Sequence, residues 1–373
     1  MASIYHLHLQ SLSLINFRNI ASADLEFSPE VNCFTGNNGA GKTGLLDAMH
    51  YLAMCKSYFN PVDSQNIRHD EAFFVVEGKF QIKGEEENIY CGQKRNTKKQ
   101  FKRNKKEYPR LAEHIGLIPI VMVSPADTEL VTGGSEVRRK FIDSVVSQYN
   151  REYLYNLINY NHALSQRNAL LKSSAGQSNV DYENFEIWDN QLITYGQQIF
   201  EKRKEFIINT LTSFTEYYRH ISGESEAVGI TYESQLEKAN FAEQLKNSFN
   251  RDRILQYTTV GIHKDDLIFE INGYPVKRFG SQGQQKSFLV ALKLAEFDFM
   301  KEVKGYPPLL LLDDIFDKLD ESRITRLIEK VSNENFGQVF ITDTHVSRLK
   351  NIFKKSERNV KIFNVNNGEI ENN

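Results

Sequence analysis

Gly36-Asn37-Asn38-Gly39-Ala40-Gly41-Lys42-Thr43 is the segment that most strongly indicates the fold class of this chain. It satisfies the pattern G-x-x-x-x-G-K-[ST], in which glycines bend the chain so that backbone N–H groups point at phosphate oxygens. An apolar run from 31 to 35 precedes it, and apolar residues on one helical face follow it from 45 to 53. This order of strand, glycine-rich turn and helix predicts a nucleotide-binding loop, with the helix beginning near Gly41.

Neighbouring side chains of this loop have separate predicted roles. We expect all eight residues to line an ATP site, Lys42 to reach the β- and γ-phosphates, and the Thr43 hydroxyl to ligate Mg²⁺. A glycine-rich turn without nucleotide is the plainer interpretation. It is disfavoured because a chance match to so specific a pattern is rare in a chain of ordinary composition.

Four consecutive leucines, Leu309 to Leu312, stand directly before Asp313 and Asp314. An unbroken apolar strand is typical of a parallel sheet covered on both faces, and ligands collect at the carboxyl ends of such strands. We therefore expect Asp313 to hold the Mg²⁺ shell and Asp314 to act as the general base that orients the attacking water. Two carboxylates that merely cap a strand end are the plainer alternative.

A third segment, Ser281-Gln282-Gly283-Gln284-Gln285-Lys286, precedes a helical run from 288 to 300. Ser281 and Gln284 match the capping box S-x-x-Q, and a capped helix start is also an anion site. The segment resembles the signature motif of ABC-type ATPases in the form used by SMC-like heads. The resemblance implies that Ser281, Gly283 and Gln284 belong to the ATP site, with Ser281 and Gly283 contacting a γ-phosphate held by a second copy.

Two segments after the leucine strand resemble further parts of such a site. The stretch from Asp317 to Asp320 looks like the D-loop that lines the dimer seam, and a charged helix start is its alternative. His345 follows the next apolar strand, 339–342, where ABC enzymes carry a switch histidine. Because His345 stands a residue or two late, Asp343 is the competing assignment. The predicted catalytic set is therefore Asp314, Lys42 and His345.

The pattern along the chain predicts a split α/β region. Apolar runs at 12–17, 31–35, 73–82 and 118–123 read as strands, whereas 135–221 reads as two helices joined by a polar loop at 173–179. Those helices form either a projecting antiparallel arm or a packed subdomain. The expected fold is an α/β P-loop ABC-type ATPase head, a mixed or parallel sheet with helices, with an inserted helical lobe. We expect residues 1–125 and 258–373 to form the two ATPase halves and 126–257 to form the helical lobe.

Charge and cysteine usage bound the environment. The chain of 373 residues has 46 Lys and Arg against 48 Asp and Glu, so any nucleic-acid contact requires local positive charge. Residues 94–106 hold eight Lys or Arg, as either a solvated hairpin or a phosphate contact, and Arg138 with Arg139 predicts an intersubunit or DNA contact. Three cysteines without metal spacing, no signal sequence and no apolar stretch of ~18 residues predict a cytoplasmic protein without a membrane partner.

Several stretches together resemble the RecF family of bacterial recombination mediators, and the match extends from near residue 10 to near residue 345. They are Asn16-Phe17-Arg18-Asn19, the loop with the segment 44–48, and the stretches 124–127, 138–143, 261–267, 272–273 and 281–286. The combination of Ser281 to Gln285 with Asp313-Asp314 is its most specific part, because the family uses Asp where most ABC ATPases use Glu. By the same resemblance Arg18 is expected near the nucleotide.

The resemblance implies a weak, DNA-stimulated ATPase of recombinational repair and replication-fork maintenance, with ATP and Mg²⁺ as cofactors. It implies an ATP-dependent homodimer on duplex DNA at single-strand gaps, with single-stranded DNA as a further ligand. RecR and RecO are the implied protein partners, and RecA loading is helped indirectly. A transporter ATPase subunit, a non-hydrolysing scaffold and a P-loop kinase are the competing interpretations.

Overall fold

A computed structural model of the chain describes residues 6–177, 181–223, 226–316, 319–331, 336–353 and 358–372. Its strands in chain order are β1 (Leu7–Phe17), β2 (Ile20–Glu26), β3 (Val31–Thr35), β4 (Phe73–Ile82), β5 (Glu85–Lys94), β6 (Gln100–Arg103), β7 (Lys106–Glu107), β8 (Ile120–Val123), β9 (Val228–Glu233), β10 (Asp266–Ile271), β11 (Tyr274–Pro275), β12 (Leu309–Leu312), β13 (Val339–Asp343), β14 (Val360–Asn366) and β15 (Glu369–Asn372). Its helices are α1 (Lys42–Met54), α2 (Thr128–Thr132), α3 (Ser135–Tyr149), α4 (Arg151–Ser173), α5 (Glu183–Ser222), α6 (Phe241–Leu255), α7 (Val276–Phe279), α8 (Gln282–Lys304), α9 (Glu321–Val331) and α10 (Val346–Phe353).

Contacts divide the chain into two units. The first consists of Met1–Thr128, Glu216–Ser225 and Ser281–Asn373, and the second consists of Glu129–Thr215 and Glu226–Gly280. Residues 258–280 therefore belong to the second unit, whereas the sequence boundary at 258 assigned them to the ATPase region. The physical reason is that β10 pairs along its whole length with β9, so this segment completes a sheet of the second unit.

The first unit contains a mostly parallel sheet of strand order β15-β14-β3-β13-β12-β8. Strands β13 and β14 flank β3 in parallel, and among the described strands of this sheet only β15 runs antiparallel to its neighbour. All residues of β3, β8, β12 and β13 are buried, as expected for parallel strands that are covered on both faces. The predicted strands 31–35 and 309–312 are confirmed.

A second sheet of the same unit is antiparallel, with the order β2-β1-β4-β5-β6-β7. Helix α1 packs against strands of both sheets, and every one of its residues except Thr43 is buried. The buried amide of Gln338 joins the sheets, because it accepts from Leu9 N at 2.7 Å and donates to Leu9 O at 2.9 Å. Strand β4 was predicted correctly, and β6 with β7 forms the hairpin that was one of the two interpretations of 94–106. Strands β2 and β5 were not predicted, because their polar residues weaken the apolar pattern.

The second unit differs from the two predicted helices. Three helices, α3, α4 and α5, occupy the region, since the chain breaks at Asn150, whose side chain caps α4 by accepting from Tyr153 N at 2.8 Å. Helix α6 and the sheet β11-β10-β9 complete the unit, so it is not purely helical. The fully buried Arg167 pairs with Asp189 and Asp252, which describes a packed subdomain rather than a bare arm. The predicted loop 173–179 extends into 178–180, which lie outside the described residues.

None of the described helices combines the length and the apolar character that a membrane crossing requires.

Candidate nucleotide-binding site

Backbone geometry explains the glycines of the loop between β3 and α1. Gly36 has a φ of +153°, and a Cβ there would lie 2.1 Å from Val365 O. Gly41 has a φ of +123°, and a Cβ there would lie 3.2 Å from Asn19 Oδ1. Side chains at these positions would strain the backbone and collide with neighbours, so the close turn requires glycine.

Lys42 is the first residue of α1 and is 3% exposed. Its ammonium group donates hydrogen bonds to Gly36 O at 2.7 Å and to Asn37 O at 3.0 Å. These carbonyls hold the charge within the loop, where the unpaired N–H groups at the start of α1 also favour an anion. The arrangement suits a polyphosphate, whose oxygens would replace the two carbonyls as hydrogen-bond acceptors of the ammonium group.

Asp313 is 2% exposed and lies directly after β12, across from the loop. The Thr43 hydroxyl donates to the Asp313 carboxylate at 3.0 Å from each oxygen, and the Thr342 hydroxyl donates to Oδ1 at 2.8 Å. Burial raises the pKa of Asp313 to about 6, against the opposing effect of the Thr342 hydrogen bond.

This pair fits the group that the sequence implies there. A hydroxyl and a carboxylate in contact offer the hard oxygen ligands that Mg²⁺ prefers. No group of three or more His, Cys, Asp or Glu side chains arranged for a metal occurs among the described residues. The donor set therefore suits an ion whose remaining ligands are phosphates and water, as is usual for Mg²⁺ with a nucleotide.

Asp314 has a φ of +41°, in the left-handed region, and its N–H donates to Thr342 Oγ1 at 2.9 Å. It lines two cavities of about 370 Å³ each. One cavity is formed by the loop residues together with Arg18 and Asn19, and the other is formed with Asp343 and His345. A residue held in this sparsely populated backbone conformation at the junction of two cavities is placed as a reactive group would be.

The structure brings both candidates for the switch residue to that second cavity. Asp343 is 2% exposed and its Oδ1 accepts from His345 N at 3.0 Å, while Arg348 lies 3.3 Å from its Oδ2. The side chain of His345 is exposed. The two residues therefore share one pocket with Asp314, and their roles stay a prediction.

Arg18 lies beside the loop, as expected. Its guanidinium pairs with Asp47 at 3.0 Å and lies over the Phe59 ring at 4.9 Å from the centroid. Asn19, which was not among the predicted site residues, donates to Gly39 O at 3.1 Å. Both residues also line a neighbouring cavity of about 720 Å³, which leaves room for the base and sugar of a nucleotide. The motif from Asn16 to Asn19 was the sequence signal for this arrangement.

A chain of buried polar contacts leads from Arg18 toward α8. Asp47 accepts from Ser57 Oγ at 2.8 Å and from Tyr58 N at 2.7 Å. The Tyr58 hydroxyl in turn donates to Asp127. Burial raises the pKa of Asp127, and the nearby Lys293 of α8 acts in the opposite direction. We name these contacts, from Arg18 through Asp47 and Tyr58 to Asp127, the buried relay. The sequence did not predict it, although three of its members belong to the stretches 16–19, 44–48 and 124–127.

The predicted capping box at the start of α8 is confirmed. Ser281 Oγ accepts from Gln284 N at 3.2 Å, and Ser281 N donates to Gln284 Oε1 at 2.8 Å. Ser281 is exposed, and a Cβ on Gly283 would lie 2.7 Å from Arg323 Nη1. Asp314 lines two cavities, and the described residues that line them do not include Ser281, Gly283 or Gln284.

Two other predicted contact regions have different outcomes. Residues 317–318 of the D-loop candidate lie outside the described residues, while Asp320 Oδ1 accepts from Arg323 N at 2.9 Å at the start of α9. Arg138 is only 9% exposed and pairs with Asp266 at 2.6 Å, and Arg139 donates to Asp265 O at 2.6 Å. The expectation that Arg138 contacts DNA or a second copy is therefore wrong for this arrangement, because its charge is already used within its own unit.

This loop, its carboxylates and a sheet of this order define a P-loop ATPase with an ABC-type head. The family described as RecF/RecN/SMC N terminal domain matches residues 8–371. The DNA replication and repair protein RecF of Phocaeicola vulgatus is 52% identical over 364 residues, which are 97% of each chain. That of Flavobacterium johnsoniae is 49% identical over 359 residues, 96% of this chain and 100% of the relative. The chain belongs to the RecF family of DNA replication and repair proteins.

Solved structures agree with this membership. One described as the recombination mediator protein RecF-ATP in the RecFOR pathway has a TM-score of 0.87 at 30% identity, covering 99% of this chain and 100% of that chain. An Smc head domain from Pyrococcus furiosus has a TM-score of 0.57 at 15% identity, which shows the shared fold alone. The transporter interpretation has no support among these relatives.

Proposed function

We propose that this protein binds ATP with Mg²⁺ at the loop 36–43 and that two ATP-loaded copies pair on DNA during recombinational repair. The observation that carries the proposal is the contact between Thr43 and Asp313 beside the loop-bound Lys42. A cation, a hydroxyl and a carboxylate at this loop support the proposal, because a Mg²⁺-nucleotide requires all three kinds of group. The solved relative described as RecF-ATP supports the choice of nucleotide.

Each side chain has its own part in this proposal. The glycine-rich loop and the start of α1 bind the phosphates through backbone N–H groups, and Lys42 neutralises the β- and γ-oxygens. Thr43 and Asp313 hold the Mg²⁺, which supplies charge neutralisation at the phosphates when bound. Asp314 orients water and accepts its proton, with Asp343 or His345 beside it. Arg18 and Asn19 position the sugar side of the nucleotide.

The position of the signature segment supports the proposed pairing of two copies. Ser281 is exposed at a capped helix start, and it does not line the cavities at the loop of its own chain. A second copy therefore supplies Ser281 and Gly283 to the γ-phosphate, so that binding of ATP stabilises the dimer. Because the carboxylate of Asp314 is one methylene shorter than that of a glutamate, water is placed less well, and slow hydrolysis times the release of DNA.

The finer partners belong to the same proposal. Duplex DNA next to single-strand gaps is the proposed ligand, single-stranded DNA is a further one, and RecR with RecO assists RecA loading. The relatives named for replication, repair and the RecFOR pathway support these partners. A cytoplasmic location follows from a DNA ligand and from the three free cysteines, Cys33, Cys55 and Cys91.

The experiment that tests the proposal measures mass and DNA binding together. Light scattering of the wild type should give twice the monomer mass with ATP and the monomer mass without it. Fluorescence anisotropy with gapped duplex should then show binding that requires ATP, and phosphate release should rise when DNA is added. A protein that stays monomeric with saturating ATP and Mg²⁺, with and without DNA, contradicts the proposal.

A further inference from the structure

The segment of dense positive charge, residues 94–106, folds into the end of β5, all of β6 and the start of β7. We call residues 94–107 the basic hairpin. Three of its cations contact side chains of the unit: Lys99 pairs with Asp63 at 2.9 Å, Arg103 pairs with Glu87, and Lys102 lies 5.3 Å from the centroid of the Tyr90 ring. A fourth, Arg95, donates to the backbone oxygen of Glu71 at 2.9 Å. These contacts fix the hairpin against its neighbours.

Four lysines of the basic hairpin differ from those cations. Lys94, Lys98, Lys105 and Lys106 are exposed, and none forms an ion pair with any carboxylate of the described residues. Three lysines on helices of the second unit differ, because each has a glutamate partner: Lys140 with Glu136, Lys202 with Glu205 and Lys204 with Glu237. The basic hairpin thus carries positive charge that no carboxylate in the described part of the chain pairs with.

Backbone conformation at the β6–β7 turn gives a second, independent observation. Asn104 has a φ of +49° and Lys105 has a φ of +70°, the left-handed pair that a two-residue type I′ hairpin turn requires. Glycine is the favoured residue at the second position of such a turn, and lysine there carries a conformational penalty. Strain kept in place at an exposed position points to a use for its side chain outside the fold.

The two pairs of free lysines lie at opposite ends of β6. Its four residues, at about 3.3 Å each, separate the pairs by roughly 13 Å. Double-stranded DNA carries one negative charge per ~1.7 Å of its axis, so a duplex laid along the strand meets both pairs at once. The only aromatic residue of the hairpin, Phe101, is 1% exposed, so the hairpin offers no surface on which unpaired bases could stack.

We propose that the basic hairpin binds the phosphate backbone of duplex DNA through Lys94, Lys98, Lys105 and Lys106, without reading sequence. The inference rests on the proposed DNA binding and adds the surface that makes the contact. Positive charge without a stacking surface favours duplex phosphates over single strands.

The test compares two triple variants with the same change of charge. Lys98→Gln/Lys105→Gln/Lys106→Gln removes free lysines, and Lys140→Gln/Lys202→Gln/Lys204→Gln removes paired ones. Affinity for a labelled duplex is measured by anisotropy with ATP over a range of salt concentrations. The first triple should lose at least about tenfold in affinity, and its log–log salt slope should fall in magnitude by about 2.7, or 0.9 for each contact. The second triple should keep the wild-type slope.

The single variant Lys105→Gly separates contact from folding. It relieves the left-handed backbone, so its melting temperature should equal or exceed that of the wild type. Its salt slope should nevertheless fall in magnitude by about 0.9. An unchanged slope for this variant and for the first triple would overturn the inference.

Three other outcomes are equally decisive. Equal loss of affinity in both triples would reduce the effect to net charge and overturn the inference. If the first triple self-associates while its duplex affinity is kept, the lysines protect a sheet edge instead. Loss of affinity for single strands but not for duplex would overturn the choice of ligand. A wild type that binds no DNA with ATP would instead contradict the proposed function itself.

Discussion

The Thr43 hydroxyl lies 3.0 Å from both carboxylate oxygens of Asp313, a residue 270 positions later in the chain. Parallel pairing of β3, β13 and β12 produces this contact, because it brings the carboxyl ends of these strands to one edge of the sheet. Burial at that edge also raises the pKa of Asp313 to about 6, above its ordinary value of 3.8. The site thus holds a carboxylate that is costly to keep ionised without a cation.

Asp313→Asn should therefore stabilise the nucleotide-free protein at neutral pH. Because the folded protein binds the Asp313 proton more tightly than the unfolded chain, stability is lost as pH rises from about 4 to about 6. Two pKa units correspond to at most about 3 kcal/mol at pH 7.5, and the difference should vanish near pH 4. Thermal melts with a chelator at both pH values measure this. Equal melting temperatures at pH 7.5 would contradict the assignment of the raised pKa.

Lys42→Ala should abolish nucleotide binding while the protein stays folded. The ammonium group contacts only two loop carbonyls among the described residues, so its loss removes little of the packing. ATP with Mg²⁺ should raise the melting temperature of the wild type and not that of the variant, because a ligand stabilises only the state that binds it. Lys172→Ala, on an exposed helix end, is the matched control and should retain the full ATP effect.

Ser281→Arg should prevent ATP-driven dimerisation without preventing ATP binding. The substitution also removes the N-cap of α8, at a cost of about 1 kcal/mol. Asn240→Arg is the control, because Asn240 caps α6 by accepting from Ala242 N and Glu243 N. Light scattering with ATP should find the Ser281 variant monomeric and the Asn240 variant dimeric. A dimeric Ser281 variant would remove the signature segment from the interface.

Asp314→Asn should slow hydrolysis by about 10²–10⁴-fold and prolong the ATP-bound dimer, because an amide cannot accept the proton of water. Asparagine tolerates the left-handed backbone at this position, with its φ of +41°, so the fold should be kept. Phosphate release and dimer lifetime are the measurements. Asp314→Glu tests whether the short side chain of Asp314 limits how well it orients water. Faster hydrolysis in this variant supports that explanation of slow turnover, whereas abolished hydrolysis refutes it.

Tyr58→Phe should uncouple the nucleotide from dimerisation. The substitution deletes the hydroxyl that links the buried relay to Asp127. Because a buried acceptor loses one of its donors, the free energy of unfolding should fall by about 1–3 kcal/mol. ATP affinity of the monomer should be unchanged, and ATP-dependent dimerisation should weaken several-fold. Tyr182→Phe is the matched control, since its hydroxyl donates to Asp189 at 2.8 Å in the second unit. Equal weakening of dimerisation in both variants would mean a loss of stability only.

Sequence patterns predicted the elements whose residues follow a simple local rule, such as an apolar run or a capping box. Leu309–Leu312 was predicted as a buried parallel strand because such strands are apolar on both faces. Ser281 and Gln284 were predicted as a cap because the hydrogen bonds that close it span three residues. Strands β2 and β5 were missed because their polar residues interrupt the apolar pattern. The break at Asn150 was missed because helical spacing continues across it.

The sequence alone was enough to predict the phosphate-binding loop, the two carboxylates after the leucine strand and the class of ATPase. Each of these predictions depends on residues that are near neighbours in the chain. Three findings needed the folded structure: Arg138 is buried in an ion pair, Asp343 and His345 share a pocket with Asp314, and the four exposed lysines of the basic hairpin have no ion-pair partner among the described residues. Whether a charged side chain has a partner depends on which oppositely charged or hydrogen-bonding groups lie within a few ångströms of it. For these residues those neighbours come from distant parts of the chain.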